Sequence, residues 1–267
     1  MEKIDIAILG ATPGEIAPLC SLFEPADSFK VAGNPFATYI HGDLRLLIGT
    51  TGAGKVNAAA TTASALSSFS AAEVWNIGCA GAYAGSGLEM GDVLVTQSCI
   101  CGDEGILGEN GPMPTSRLGI PLVLKNGQSF YDFFPLGEFV SRRQIRTLLP
   151  AGIYSLDSSG DIQACDPEAR IEKGQVFKVR YGPSLTVGMV SGDIQTAAAR
   201  SMLYAVLAEN MEGSAVAQTC LLFDVPFLEL RGISNIAGVR DKATWELAAA
   251  IDHCVGVVRK LLDNLIF

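Results

Sequence analysis

Five short apolar runs, each meeting a glycine-bearing turn, constrain this chain more than any other feature. Ile4–Leu9 runs into Gly10 and Gly14, and Leu44–Ile48 into Gly49-Thr50-Thr51-Gly52-Ala53-Gly54. Val74–Ile77 meets Gly78-Cys79-Ala80-Gly81-Ala82, Leu185–Val190 meets Ser191-Gly192-Asp193, and Pro226–Leu230 meets Arg231-Gly232-Ile233-Ser234-Asn235. A strand that is apolar along its whole length has to be covered on both faces. Helix-forming stretches such as the alanine-rich Asn57–Leu66 lie between the runs. The alternation predicts an α/β fold. Ligands of such sheets bind beyond the carboxyl ends of the strands, so the five turns are expected to converge on one pocket.

The clearest helix comes last. Leu247, Ile251, Cys254/Val255, Val258, Leu261/Leu262 and Leu265 recur at three- to four-residue spacing, with Thr244 read as the N-cap and Glu246 in the first turn. The stretch from Asp103 to Tyr181 is less regular: Gly108–Pro121 reads as a surface loop and Ser155–Asp166 as polar and turn-rich. There is no linker and no internal repeat, so residues 1–267 are expected to form a single domain.

Composition narrows the function. Hydrophobic residues make up 49% and charged residues 18%, enough for one large core. No apolar run reaches the roughly 18 residues of a membrane-spanning helix. Met1-Glu2-Lys3-Ile4-Asp5 has no basic segment leading an apolar one, so a secretory leader is not expected. Seven scattered cysteines without a C-x-x-C pair, and two histidines, support neither a zinc site nor a disulfide framework. The expectation is a cytoplasmic protein with no metal and no cofactor. A net charge of −9 repels nucleic-acid phosphates and disfavours that partner class, while a local arginine can still hold a small anion.

Gly49-Thr50-Thr51-Gly52-Ala53-Gly54-Lys55-Val56 almost spells a phosphate-binding P-loop, but Val56 stands where the magnesium-binding hydroxyl belongs. The glycines are better read as letting backbone approach a ligand. Glu212, in Asn210-Met211-Glu212-Gly213, precedes a small-residue helix. It serves either the helix dipole or, as a bidentate acceptor, a pair of neighbouring hydroxyls. Glu15 has the same helix-start alternative, while Asp193, after Gly192, shares the ambiguity of Asn235. Asn235 is either a turn residue or an amide facing a base edge. Arg231 is placed to orient Glu15 or Glu212, and adjacent Asp103-Glu104 read as a solvated turn.

Taken in order, Gly10-Ala11…Glu15, Thr51-Gly52-Ala53-Gly54-Lys55-Val56, Asn76-Ile77-Gly78-Cys79-Ala80-Gly81, Ser191-Gly192-Asp193, Asn210-Met211-Glu212-Gly213 and Arg231-Gly232-Ile233-Ser234-Asn235 resemble the purine nucleoside phosphorylase and methylthioadenosine/S-adenosylhomocysteine nucleosidase superfamily. Within it, Gly102-Asp103-Glu104-Gly105 and Gly232-Ile233-Ser234-Asn235…Gly238-Val239-Arg240-Asp241…Trp245 are most similar to the futalosine hydrolase family of menaquinone biosynthesis. The resemblance implies a three-layer α/β sandwich around a mixed, barrel-like sheet flanked by helices, in homo-oligomers built from dimers. It implies that Glu15 activates water, Glu212 accepts from the ribose hydroxyls and Met211 packs beneath the sugar. Ala80 and Gly81 match a turn lining the base and sugar site. Gln195 falls where an aromatic commonly stacks on the purine.

Two departures refine this. Phosphorylases place a phosphate-binding arginine where Asn76 stands, so water is the expected nucleophile. The nucleosidases carry an aspartate where Asn235 stands, and an amide N–H suits a 6-oxo group or N7. Facing it with an amino group would cost about 1–3 kcal/mol. The expected reaction is therefore hydrolysis of futalosine to hypoxanthine and dehypoxanthine futalosine, with Arg240, or else Arg117, on the substrate carboxylate and Trp245 either over its aromatic tail or packed in the core. The alternatives are a phosphorylase, an adenine-selective nucleosidase and, from another class, a non-catalytic nucleoside sensor.

Overall fold

The computed structural model describes residues 1–109, 111–165 and 176–265. Its centre is the long strand Phe69–Ala82, which pairs in parallel with the first strand, Glu2–Gly10, on one side and with the last strand, Phe227–Ile236, on the other. Beyond the first strand lie Leu44–Thr50, in parallel, and then Asn34–His41 and Pro25–Val31, each antiparallel to its neighbour. On the other side the last strand pairs antiparallel with Val93–Cys101, and that strand pairs in parallel with Val176–Thr186. The short strand Ala208–Asn210 then bridges Val176–Thr186 back to the central strand. The pairing closes on itself, so the mixed sheet is barrel-like at this end.

Both faces are covered, as the continuous apolar runs require. Side chains of the first strand alternate between faces. Ile6 and Ile8 pack with Ile16 and Leu19 of helix Pro13–Cys20 and with Ile251, Val258 and Leu261 of the last helix. Ala7 and Leu9 pack with Ala58 and Leu66 of helix Lys55–Ser68 and with Val216 and Cys220 of helix Gly213–Phe223. Among the described residues no helix is long and apolar enough to cross a membrane.

Several boundaries differ from the sequence expectation. Gly78–Ala82 and Arg231–Asn235 are strand rather than turn, because the two segments pair with each other (Arg231 with Gly78, Gly232 with Cys79, Asn235 with Gly81). Their register shifts between Ile233 and Asn235, a bulge that re-aims the side chains beside it. The run Leu185–Val190 leaves its strand at Thr186. The last helix spans Leu247–Asp263, and Thr244 belongs to a separate 3-10 turn, Lys242–Thr244, capped by Asp241. The helix starts where it does because the Glu246 N–H bonds to the Ser234 carbonyl, a long-range contact. Gly108–Pro121 includes the hairpin partner Gly111–Pro114 and a short helix, Thr115–Leu118, with Asn110 outside the described residues. Ser155–Asp166 covers a hairpin between Gly152–Leu156 and Ile162–Ala164, with Asp166 again outside the described residues.

Gly232 marks the closest approach of the last strand to the last helix: a Cβ there would stand 1.9 Å from the Ala250 carbonyl oxygen. Two backbones cannot separate without unpacking the helix. Gly232→Ala is therefore expected to destabilise the protein by about 1–3 kcal/mol, seen as a melting temperature lower by roughly 3 °C or more in a thermal unfolding scan.

Candidate active site

The strand ends and helix starts converge on a cavity of about 250 Å³. Glu15, Ala80, Gly81, Met211, Glu212, Asn235 and Arg240 all line it, together with Ser234 and Trp245. Gln195 does not: it is exposed on the first turn of helix Ile194–Tyr204. Asp193 caps that helix by accepting from the Thr196 N–H at 2.7 Å. Arg117 is likewise exposed and away from the cavity wall. A larger cavity, about 630 Å³, is lined by Phe130, Phe134, Phe139 and Phe227. Its carboxylate, Glu73, is held by Trp75 and Arg143.

Glu15 sits in the first helical turn with both oxygens engaged. Oε2 accepts from the Thr12 N–H at 2.9 Å, closing the helix start, and Oε1 accepts from the Cys79 N–H at 2.9 Å across the sheet. Gly78 makes this reach possible, since a Cβ there would stand 2.4 Å from Glu15 Oε1 and 2.9 Å from Arg231 Nη1. Glu212 occupies the N-cap position of helix Gly213–Phe223, where Asn210 Oδ1 takes the N–H groups of Glu212 and Gly213 at 3.0 and 2.8 Å. Its Oε1 accepts from the Gly54 N–H at 3.0 Å, so the glycine-rich loop serves a carboxylate of the protein itself. Lys55 in that loop is held by Asp103 and Glu104 at 2.6 and 2.9 Å. Those acids are thus an ion-pair clamp rather than a merely solvated turn.

Behind the cavity, Arg231 and Glu229 are both wholly buried and paired at 3.1 Å. Glu229 also collects donors from Asn76, Thr96, Ser184 and Asn210. Asn76, at the position where phosphorylases place an arginine, therefore faces inward to Glu229. Arg231 Nη1 lies 3.7 Å from Glu212 Oε2 and has no hydrogen-bond partner among the described residues. Burial pushes the Glu212 carboxyl above its ordinary value, and the Arg231 charge pulls it back. Asn235 is also buried; its Nδ2 donates to the Ile236 carbonyl at 3.0 Å, and Ser234 Oγ donates to its Oδ1 at 2.9 Å. Arg240 is exposed, with its guanidinium 5.0 Å over the Trp245 ring.

A family model described as the phosphorylase superfamily matches residues 5–266. The chain belongs to that superfamily. It is 31% identical over 212 residues to the futalosine hydrolase of Thermus thermophilus, covering 79% of each chain. It is 28% identical over 265 residues to the 5'-methylthioadenosine/S-adenosylhomocysteine nucleosidase of a Geobacillus species, covering 97% of this chain and 98% of the relative. Among solved structures, the 5'-methylthioadenosine/S-adenosylhomocysteine nucleosidase of Colwellia psychrerythraea, in complex with adenine, superposes with a TM-score of 0.75 at 24% identity, over 98% and 96% of the two chains. The fold is that of the nucleoside phosphorylases and nucleosidases. The chain is an enzyme of this superfamily, and both sequence relatives are hydrolases.

The sequence reading missed Glu209, Asn210 and Glu229. Asn210 and Glu229 hold the site's charges in place, and a signal for the latter existed. Glu229 and Arg231 stand two residues apart among the apolar Phe227, Leu228 and Leu230 and so share one face, a pattern a buried strand tolerates only as a pair.

Arg231→Met leaves the buried Glu229 charge uncompensated, and a loss of about 3–5 kcal/mol is expected, measured as a lower urea midpoint. The role expected of Glu212 from the sequence, acceptance from ribose hydroxyls, requires an ionised carboxylate. Activity should therefore fall on the acid side, with an apparent pKa above the ordinary glutamate value. In Arg231→Lys, which weakens the opposing charge contact, this limb is expected to move to higher pH in a pH–rate profile.

Proposed function

We propose that this chain hydrolyses the N-glycosidic bond of a purine nucleoside, and that the nucleoside is futalosine. The observation that carries hydrolysis is the arrangement of arginines around the cavity. Asn76 is committed to Glu229, Arg231 is committed to Glu229 and faces Glu212, and Arg240 is the one arginine among the described lining residues. A phosphate nucleophile would lack the guanidinium forks that hold it. A water molecule needs no such fork, and Glu15 in the cavity wall supplies an acceptor for it.

In this reading Glu15 orients and deprotonates the water, which attacks C1′ as the bond to the purine nitrogen breaks. Glu212 accepts from the 2′ and 3′ hydroxyls and stabilises the oxocarbenium-like sugar. Met211 packs beneath the ribose, and Ala80 and Gly81 line the base. The Asn235 amide donates to the departing base at O6 or N7, which favours a 6-oxopurine such as hypoxanthine. Arg240 and Trp245, at the cavity edge, take the carboxylate and aromatic tail of futalosine. Asn235 and the 31% identity to a futalosine hydrolase support this substrate. The adenine-selective alternative draws support from the nucleosidase relative that covers 97% of the chain.

The same proposal includes one catalytic domain over residues 1–267, a cytoplasmic location and a homo-oligomer built from dimers. Val56, Leu107 and Met189, apolar and at least 80% exposed, support an additional covering surface.

Incubation with futalosine in phosphate-free buffer is expected to release hypoxanthine, detected by chromatography, faster than methylthioadenosine releases adenine. Glu15→Gln should still bind substrate but lose about 10²- to 10⁴-fold in rate. A requirement for phosphate, or preferential cleavage of methylthioadenosine, would overturn the assignment.

A further inference from the structure

Glu209 is a cavity-lining carboxylate that the reaction above leaves without a task. It is only 4% exposed. Its position in the sheet is informative. Gly81 on the central strand pairs with Glu209 on one side and with Asn235 on the other, so the three residues form one row. Paired residues project from the same face of a sheet. A Cβ on Gly81 would stand 3.2 Å from Asn235 Nδ2, so the glycine leaves open the space beside that amide. The row is a slot with a carboxylate on one wall and an amide on the other, their backbones two strand spacings, roughly 10 Å, apart.

The hydrogen-bond inventory of Glu209 leaves one acceptor over. Oε2 takes Ser191 Oγ at 2.7 Å, the Tyr83 hydroxyl at 2.8 Å and Arg200 Nη1 at 3.4 Å. Oε1 takes the Ser191 N–H at 2.7 Å and, among the described residues, nothing else. Each carboxylate oxygen has two lone pairs, and an ionised carboxylate donates nothing. These donors fix the orientation of the carboxylate. Asn235 Nδ2 uses one hydrogen on Ile236 and keeps the other.

Purines divide at the edge such a slot would read. A 6-oxopurine presents an N1–H donor beside an O6 acceptor; a 6-aminopurine presents an N1 acceptor beside an amino donor. We propose that Glu209 is a specificity-determining residue that accepts the N1–H of a 6-oxopurine while Asn235 donates to O6 or N7. A 6-aminopurine would set its N1 lone pair against the Glu209 carboxylate. This inference rests on the purine-nucleosidase reading of the cavity and assigns the selectivity to a residue outside the reacting groups.

The test compares two nucleosides that share one 5′ substituent and differ only as 6-oxo and 6-amino purines. Glu209→Gln preserves size but offers an N–H₂ group that can face N1. The expected result is at least about a tenfold fall in the 6-oxo to 6-amino ratio of kcat/KM, the scale of one hydrogen bond to a charged group. The 6-amino value itself should rise, whereas a merely structural defect would lower both. Calorimetry on the unmodified protein supplies a second measurement: hypoxanthine should bind at least about tenfold tighter than its 1-deaza analogue, which lacks the N1–H. An unchanged ratio, or equal binding of the two bases, overturns the role of Glu209 and leaves the nucleosidase reading standing. A wild-type protein that cleaves no purine nucleoside overturns that reading, and this inference with it.

Discussion

Arg231 and Glu229, two full charges with no solvent exposure, lie side by side on the last strand, and the site is arranged around them. Removing such ions from water costs several kcal/mol each, and their mutual attraction offsets this only when the remaining lone pairs are also satisfied. Glu229 meets that condition with donors from the central strand, from Val93–Cys101, from Val176–Thr186 and from Asn210. The buried carboxylate therefore ties together the strands that close the barrel. With Nη2 fixed on Glu229, Nη1 of Arg231 lies 3.7 Å from Glu212 Oε2, behind the cavity wall.

Glu15, Glu212 and Glu229 would repel one another without that guanidinium. Their fields in turn hold Arg231 firmly in its charged form, above its already high ordinary pKa, although burial alone would act in the opposite direction. Backbone geometry completes the arrangement. Gly78 lets the Glu15 carboxylate lie against the sheet, Asn210 ties off the helix start that presents Glu212, and the bulge near Ser234 turns Asn235 toward the slot. Each of these side chains is thus held in place by a neighbour's hydrogen bond.

Much of the site was legible in the sequence because helix starts and strand ends are local patterns. Glu15 and Glu212 were read as helix-start carboxylates, and both are, while also lining the cavity. The two readings describe one fact, since a carboxylate at a helix start beside a strand end is also at the ligand side of an α/β sheet. Gln195 lies away from its expected place, exposed in the first turn of the helix that Asp193 caps. Thr244 lost its capping role to a tertiary one, the bond from Glu246 to the Ser234 carbonyl. Glu209 lies in a three-residue strand, too short to show any periodicity.

By itself the sequence determined the class of fold, its apolar strands, its amphipathic last helix and the residue types at the cavity. Those features depend on burial period and turn chemistry over a few neighbouring residues. Only the tertiary structure decided that Gly78–Ala82 and Arg231–Asn235 continue as paired strands. It also decided that Lys55 is clamped by Asp103 and Glu104, and that Glu209 and Asn235 flank the same glycine. The reason is physical: strand pairing and ion pairing join residues far apart in the chain, and no local pattern records which partner satisfies a buried polar group.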